Sequence, residues 1–247
     1  MQFPLLVSGL VFFFTHSLVA ITGFGSAIMA MPFIIAMLGM RQGVIMITIL
    51  AWVLALYIAI SKKQDINFRQ FSIIIGLMIP GLPLGMFFFR TFDVLQLKSI
   101  LAIFIMVIST WQLFRRLVLK KTNTQIPSGL GIFPYYLALL AGGVVQGMLS
   151  IGGPLVVLYA SRVMPDKGQF RATLCLLWSI LNTVLIAVFF IEGSISSEIA
   201  VNTGIMLPFV IAGMVVGEKI HNKLDERFFS VIVFSMLLLT GLFMVFF

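Results

Sequence analysis

Long apolar runs alternate with short polar loops along the whole chain, and eight runs can be marked, at about 3–38, 43–60, 71–89, 95–114, 132–161, 172–191, 199–217 and 228–247. Six have the length of one membrane crossing. The first and fifth are too long for that: at 1.5 Å per residue, 36 helical residues measure about 54 Å against a hydrocarbon core of about 30 Å. Both are interrupted by glycine. The fifth contains residues 142–154, GGVVQGMLSIGGP, and the first contains Thr22-Gly23-Phe24-Gly25-Ser26. Irregular backbone inside a bilayer must face protein, water or a ligand, so each long run is expected to fold back as a hairpin of two short helices. The pattern predicts an all-α integral membrane protein with eight apolar segments and up to ten helices.

The loop charges separate a hairpin from a single crossing, because the two place everything downstream on different sides. With single crossings the Lys and Arg divide nine to seven, which is no bias. With hairpins one side collects Lys62, Lys63, Arg69, Arg115, Arg116, Lys120, Lys121, Arg162, Lys167, Arg171, Lys219, Lys223 and Arg227, 13 of the 16, and the other keeps Arg41, Arg90 and Lys98. Cytoplasmic loops carry the excess of basic residues. Hairpins are therefore expected, with both termini on the non-cytoplasmic side.

An internal repeat accompanies this topology. Gly76-Leu-Met78-Ile-Pro80 recurs as Gly204-Ile-Met206-Leu-Pro208, and Gly85-Met86 recurs as Gly213-Met214, all at a separation of 128. At a separation of 127, Gly25 answers Gly152 and Gln42 answers Gln169. The halves are 1–120 and 130–247, joined by the linker 121–129 within a single membrane domain. Each half holds one hairpin and three single crossings, an odd number, so the second half is expected to enter from the opposite face as an inverted repeat. Inverted repeats with interrupted helices at matching positions are a transporter plan.

Composition narrows the classes. The chain is 61% apolar and 10% charged with a mean hydropathy of +1.16, which marks an integral membrane protein and leaves no stretch for a soluble domain. The net charge of +8 sits in loops and is explained by orientation in the bilayer, so no nucleic-acid partner is expected. Cys175 is the one cysteine, which excludes a disulfide framework and a thiolate metal cluster. Residues 3–22 follow Met1-Gln2 without a basic n-region and are read as a mature segment rather than a signal peptide. There is no Walker A pattern for ATP coupling. Two His, one Cys and no acid within a segment do not assemble an enzyme's nucleophile and base or a metal set, so no catalysis, metal or other cofactor is expected.

The two glycine breaks carry the candidate chemistry. A helix that starts within the membrane presents unpaired N–H groups and the positive end of its dipole. Gly23, Phe24, Gly25 and Ser26 in one break, and Ser150, Gly152, Gly153 and Pro154 in the other, combine glycines that admit close approach, serine hydroxyl donors and a proline suited to a first helical turn. The two breaks are expected to face each other and to replace the hydration of a small anion without formal charge. Gly81, Gly85, Gly213 and Gly217 fit the small-xxx-small pattern of close helix packing and are assigned to it.

The Gly-Phe-Gly-Ser break after the first helix, the Ser-Ile-Gly-Gly-Pro break in the second half and the Arg171-Ala172-Thr173 start of the next segment resemble the TauE/SafE family of sulfite exporters and related anion permeases. The resemblance extends over essentially the whole chain. It implies movement of a small anion, a sulfur-containing oxyanion or an organosulfonate, across a bacterial cytoplasmic membrane. Ser26-Ala27 and Gly153-Pro154 depart from the family's glycine-richer pattern, so no particular anion is implied.

Further candidates are ranked behind the breaks. Gln146, Arg171, Thr173 and Asn182 are candidate substrate contacts, each weighed against snorkelling, packing or back-bonding to its own helix. Pro80 and Pro208 are candidate hinges of alternating access. His16 is a candidate for proton handling, against a neutral imidazole bonded to a carbonyl. His221 falls in the last basic loop and is expected to be exposed. Trp111, near Arg115 and Arg116, reads as an interfacial anchor. The partners expected are the small anion and the lipid bilayer, with a monomer or a homodimer equally open. The competing functions are a cation-coupled exporter, which would be expected to carry a membrane carboxylate, and a non-transporting scaffold subunit.

Overall fold

The computed structural model describes residues 2–91, 103, 105–107, 109–111, 113–114, 129–149 and 152–246. The described residues form ten α-helices and no strand, with further helical residues between 103 and 114. In chain order these are α1 (Gln2–Thr22), α2 (Ser26–Leu38), α3 (Met40–Ser61), α4 (Phe68–Met78), α5 (Gly81–Thr91), α6 (Phe133–Leu149), α7 (Gly153–Val163), α8 (Lys167–Ile191), α9 (Ser197–Lys223) and α10 (Glu226–Phe246). Five stretches are long and apolar enough to cross a membrane: Leu5–Thr22, Arg41–Ser61, Phe68–Gly85, Lys167–Ile191 and Ser197–Lys223. A multi-pass membrane protein follows.

Both long apolar runs break at their glycines, and in each the two arms pack on one another. The arms are not two equal short helices. With 21 residues, α1 reaches about 31 Å and can cross by itself, while the 13 residues of α2 reach about 20 Å. The second pair is also uneven, 17 residues in α6 against 11 in α7. The break after α1 thus closes a full-length helix instead of dividing a span in half. The third apolar run, expected as one crossing, is divided at Ile79-Pro80 into α4 and α5, since proline cannot donate the next helical hydrogen bond. The segment at about 95–114 lies largely outside the described residues, as does the linker 121–129.

The chain separates into two compact units, residues 1–66 with 171–224 and residues 67–170 with 225–247. In the first, α1 and α9 run in the same direction with a register of 200 residues. A Cβ on Gly9 would sit 2.8 Å from the Phe209 ring, one on Gly213 would meet the Phe13 carbonyl, and one on Gly217 would meet the Ser17 carbonyl. The absence of side chains on α9 lets the backbones touch, which is how membrane helices gain dispersion contacts without a hydrophobic driving force. Phe12, Ala30, Ile34, Met46, Leu50 and Met206 fill the adjoining core. In the second unit α5 packs closely on α6: a Cβ on Gly81 would lie 2.6 Å from the Leu140 carbonyl and 2.7 Å from the Val144 nitrogen. Asn67 caps α4 by accepting from the Gln70 N–H at 3.1 Å, and the Tyr159 hydroxyl ties α7 to that helix by donating to Gln70 Oε1 at 2.6 Å.

Candidate functional site

The first break is built from the end of α1. A helix leaves its last carbonyls without partners, and here side chains of two other helices supply them. The Gly23 N–H donates to the Val19 carbonyl at 2.6 Å. Arg171 Nη1 on α8 donates to the Ala20 carbonyl at 2.7 Å, and His221 Nδ1 on α9 lies 2.8 Å from the Ile21 carbonyl. A carbonyl oxygen only accepts, so the Nδ1 of His221 carries its proton. Two turns along α8 from Arg171, Trp178 Nε1 donates to the Gly23 carbonyl at 3.0 Å. Thr22 Oγ1 bonds the Leu18 carbonyl at 2.8 Å and the Phe24 carbonyl at 3.1 Å. Positive charge at this pole of a helix is favourable, because the dipole leaves partial negative charge there.

The turn that follows requires glycine. Gly23 has φ +83° and Gly25 φ +101°, a region that costs other residues about 1–2 kcal/mol. At Gly23 space is short as well, since a Cβ would lie 3.0 Å from the Arg171 Cα. Phe24 and Ser26 are buried, and α2 begins at Ser26. Arg171 is 2% exposed. Its Nη2 is 4.0 Å from Glu218 Oε1, the same carboxylate atom that Lys62 approaches at 3.5 Å, and its Nε is buried with no hydrogen-bond partner. A single carboxylate shared by two cations leaves the buried guanidinium incompletely compensated, an expensive state unless other negative potential is close.

The second break brings α6 and α7 into contact. Gly152 is the N-cap of α7 and donates its N–H to Gln146 Oε1 at 2.9 Å. Its φ of −67° suits any residue; what demands glycine is the Gly142 carbonyl, into which a Cβ would run. Gly153 opens α7, with Pro154 in the first turn where its missing N–H is no loss. Ser150 lies outside the described residues.

Comparison with known families decides what this arrangement belongs to. The model of the family described as sulfite exporter TauE/SafE matches residues 8–244, nearly the whole chain and both breaks. The chain belongs to the TauE/SafE family. Members of this family are membrane transporters of sulfite and related anions, not enzymes. Neither a curated protein nor a solved structure matches the chain.

Within this TauE/SafE chain the remaining candidates are dispersed. Thr173 is fully buried in the first turns of α8, and Asn182 is half-buried further along it, next to Thr183, which accepts from Trp52 Nε1 at 2.8 Å and ties α8 to α3. His16 is fully buried in α1, its Nδ1 2.9 Å from the Phe12 carbonyl and its Nε2 without a partner. Pro208 lies exposed inside α9, and Pro80 lies exposed at the α4–α5 junction rather than within a helix. His221 corrects the sequence reading outright: it is 3% exposed, because α9 continues to Lys223 and carries it against α1 instead of into a loop. Its signal was the four-residue spacing of Gly213, Gly217 and His221, which puts all three on one helical face. Among the described residues no three His, Cys, Asp or Glu side chains gather as metal ligands.

Proposed function

We propose that the chain is a permease that moves a small anion, a sulfur-containing oxyanion or organosulfonate, across the bacterial cytoplasmic membrane by alternating access of two inverted repeats. The observation that carries the reading is the pair of glycine breaks, each ahead of a helix start, in a chain that the sulfite-exporter family spans from residue 8 to residue 244. Gly23, Phe24, Gly25 and Ser26 at the start of α2, and Gln146, Ser150, Gly152, Gly153 and Pro154 around the start of α7, are the proposed substrate-contacting positions, with Arg171, Thr173 and Asn182 as further candidates. Backbone N–H groups and a helix dipole select for anions by charge and leave their identity to neighbouring side chains. His16, an ionisable group in a membrane helix, is proposed for proton handling.

Exchanged packing supports the repeat. In the first unit α1, from the N-terminal half, packs on α9, from the C-terminal half; in the second, α6 packs on α4 and α5. Under the sequence alignment α6 corresponds to α1 and α4–α5 to α9, so corresponding helices are paired in both units with the halves swapped. Glycine admits close approach at both, at Gly213 and Gly217 in one and, at a different position of the repeat, at Gly81 in the other. Proteoliposomes holding the purified protein should take up labelled sulfite, thiosulfate or sulfoacetate. A folded preparation with no anion-specific flux above empty liposomes overturns the reading.

A further inference from the structure

Three side chains from α8 and α9 hold consecutive parts of the first break: Arg171 on the Ala20 carbonyl, His221 on the Ile21 carbonyl and Trp178 on the Gly23 carbonyl. All three are donors, and they arrive from a part of the sequence about 150–200 residues away. The register between α1 and α9 explains the His. At 9/209, 13/213 and 17/217 a glycine lets the two helices touch, and at 21/221 the next step of the same ladder is a hydrogen bond. The ladder therefore ends on the last turn of α1, which three residues separate from the start of α2.

We propose that Arg171, Trp178 and His221 form a clamp that positions the Gly23–Gly25 backbone, and through it the start of α2, for anion binding. The clamp rests on the permease reading for its purpose but not for its existence. Three features favour positioning over mere packing. The bonds go to backbone carbonyls that would otherwise be unsatisfied at a helix end, where a lost partner is costly. They hold the chain at the entry to two glycines at positive φ, Gly23 and Gly25, a segment with little intrinsic preference for one conformation. Their donors sit on α8 and α9, so a shift of either helix relative to α1 must move the break. None of the three has to touch the anion.

His221 offers the sharpest test, because its Nδ1 has an isostere. In His221→Asn the side-chain amide nitrogen occupies the place of Nδ1, whereas in His221→Gln it lies one bond further out. Hydrogen exchange of the peptide spanning residues 19–26 in liposomes should be unchanged in His221→Asn and about tenfold faster in His221→Gln and Trp178→Phe. Sulfite uptake should show KM raised about tenfold in His221→Gln with maximal rate changed less than about twofold, and should be restored in His221→Asn, as expected when placement of a binding element is lost and nothing else. Equal exchange in the Asn and Gln variants overturns the clamp, whatever the flux. Exchange that follows the prediction while KM stays constant overturns its positioning role and leaves a structural cap. The predicted exchange pattern among the variants, in a protein whose wild type moves no anion, overturns the permease reading and upholds the clamp. His221→Asn, which keeps the hydrogen bond, guards against a result that comes from misfolding.

Discussion

Glycines that look alike in the sequence differ by what stands opposite them. Gly204 and Gly76 open the repeated motif, yet a Cβ on either meets nothing within 4 Å, whereas Gly217 faces the Ser17 carbonyl and the Ala20 Cβ. Gly204→Ala should therefore leave thermal unfolding in detergent unchanged or raise stability by up to about 1 kcal/mol, since alanine is the better helix former. Gly217→Leu should lower it by about 1–3 kcal/mol or prevent folding, because α1 and α9 cannot separate without losing their shared face. At Gly23 the reason is the backbone: Gly23→Ala should cost about 1–2 kcal/mol from positive φ, and more from the approach to Arg171. Gly23→Ala that melts like wild type would show that the turn is not held as described. The glycines of the two breaks were legible in the sequence as interruptions. Which of them answer to φ and which to a facing carbonyl was not, because a facing atom belongs to another helix.

Helices record the same division between local and distant causes. Asn67 caps α4 by a rule written in four adjacent residues, and Asn67→Ala should destabilise by about 1 kcal/mol in a denaturant or thermal titration. The two prolines of the repeated motif sit differently: Pro208 within a continuous α9, Pro80 in the junction between α4 and α5. An interior proline removes one helical bond and opens a point of bending. If α9 bends there during transport, Pro208→Ala should lower the maximal rate of sulfite uptake severalfold with KM little changed. Unaltered uptake would remove Pro208 as a hinge. The paired arms of the breaks were expected from the excess length of two apolar runs. Their inequality was not, because apolar length bounds the sum of two helices and says nothing of where between them the glycine turn is fixed.

For the whole molecule, the loop charges predict that both termini face away from the cytoplasm and that the loops containing Lys63 and Lys167 face into it. Cys175 is fully buried, so the native chain is a suitable background for accessibility labelling. Cysteines introduced at Lys63 and Lys167 should react with an impermeant maleimide only after inside-out vesicles are made, and one introduced at Ser194, in the α8–α9 loop, should react in intact cells. The opposite pattern would invert the topology, and labelling of the Lys167 and Ser194 positions from the same side would overturn the assignment of α8 as a single crossing. The amino-acid sequence by itself determined that this chain lives in a bilayer, that it is helical, that two of its apolar runs are interrupted by glycine and which family it belongs to, because hydropathy, glycine and charge act over a few residues and need no partner. Only the tertiary structure decided that Arg171 and His221 hold the end of α1, that α9 packs along α1 as well as its sequence neighbour α2, and that the chain gathers into units that mix both halves. Those facts depend on carbonyls about 150–200 residues distant, and no local pattern encodes which buried donor will reach which exposed helix end.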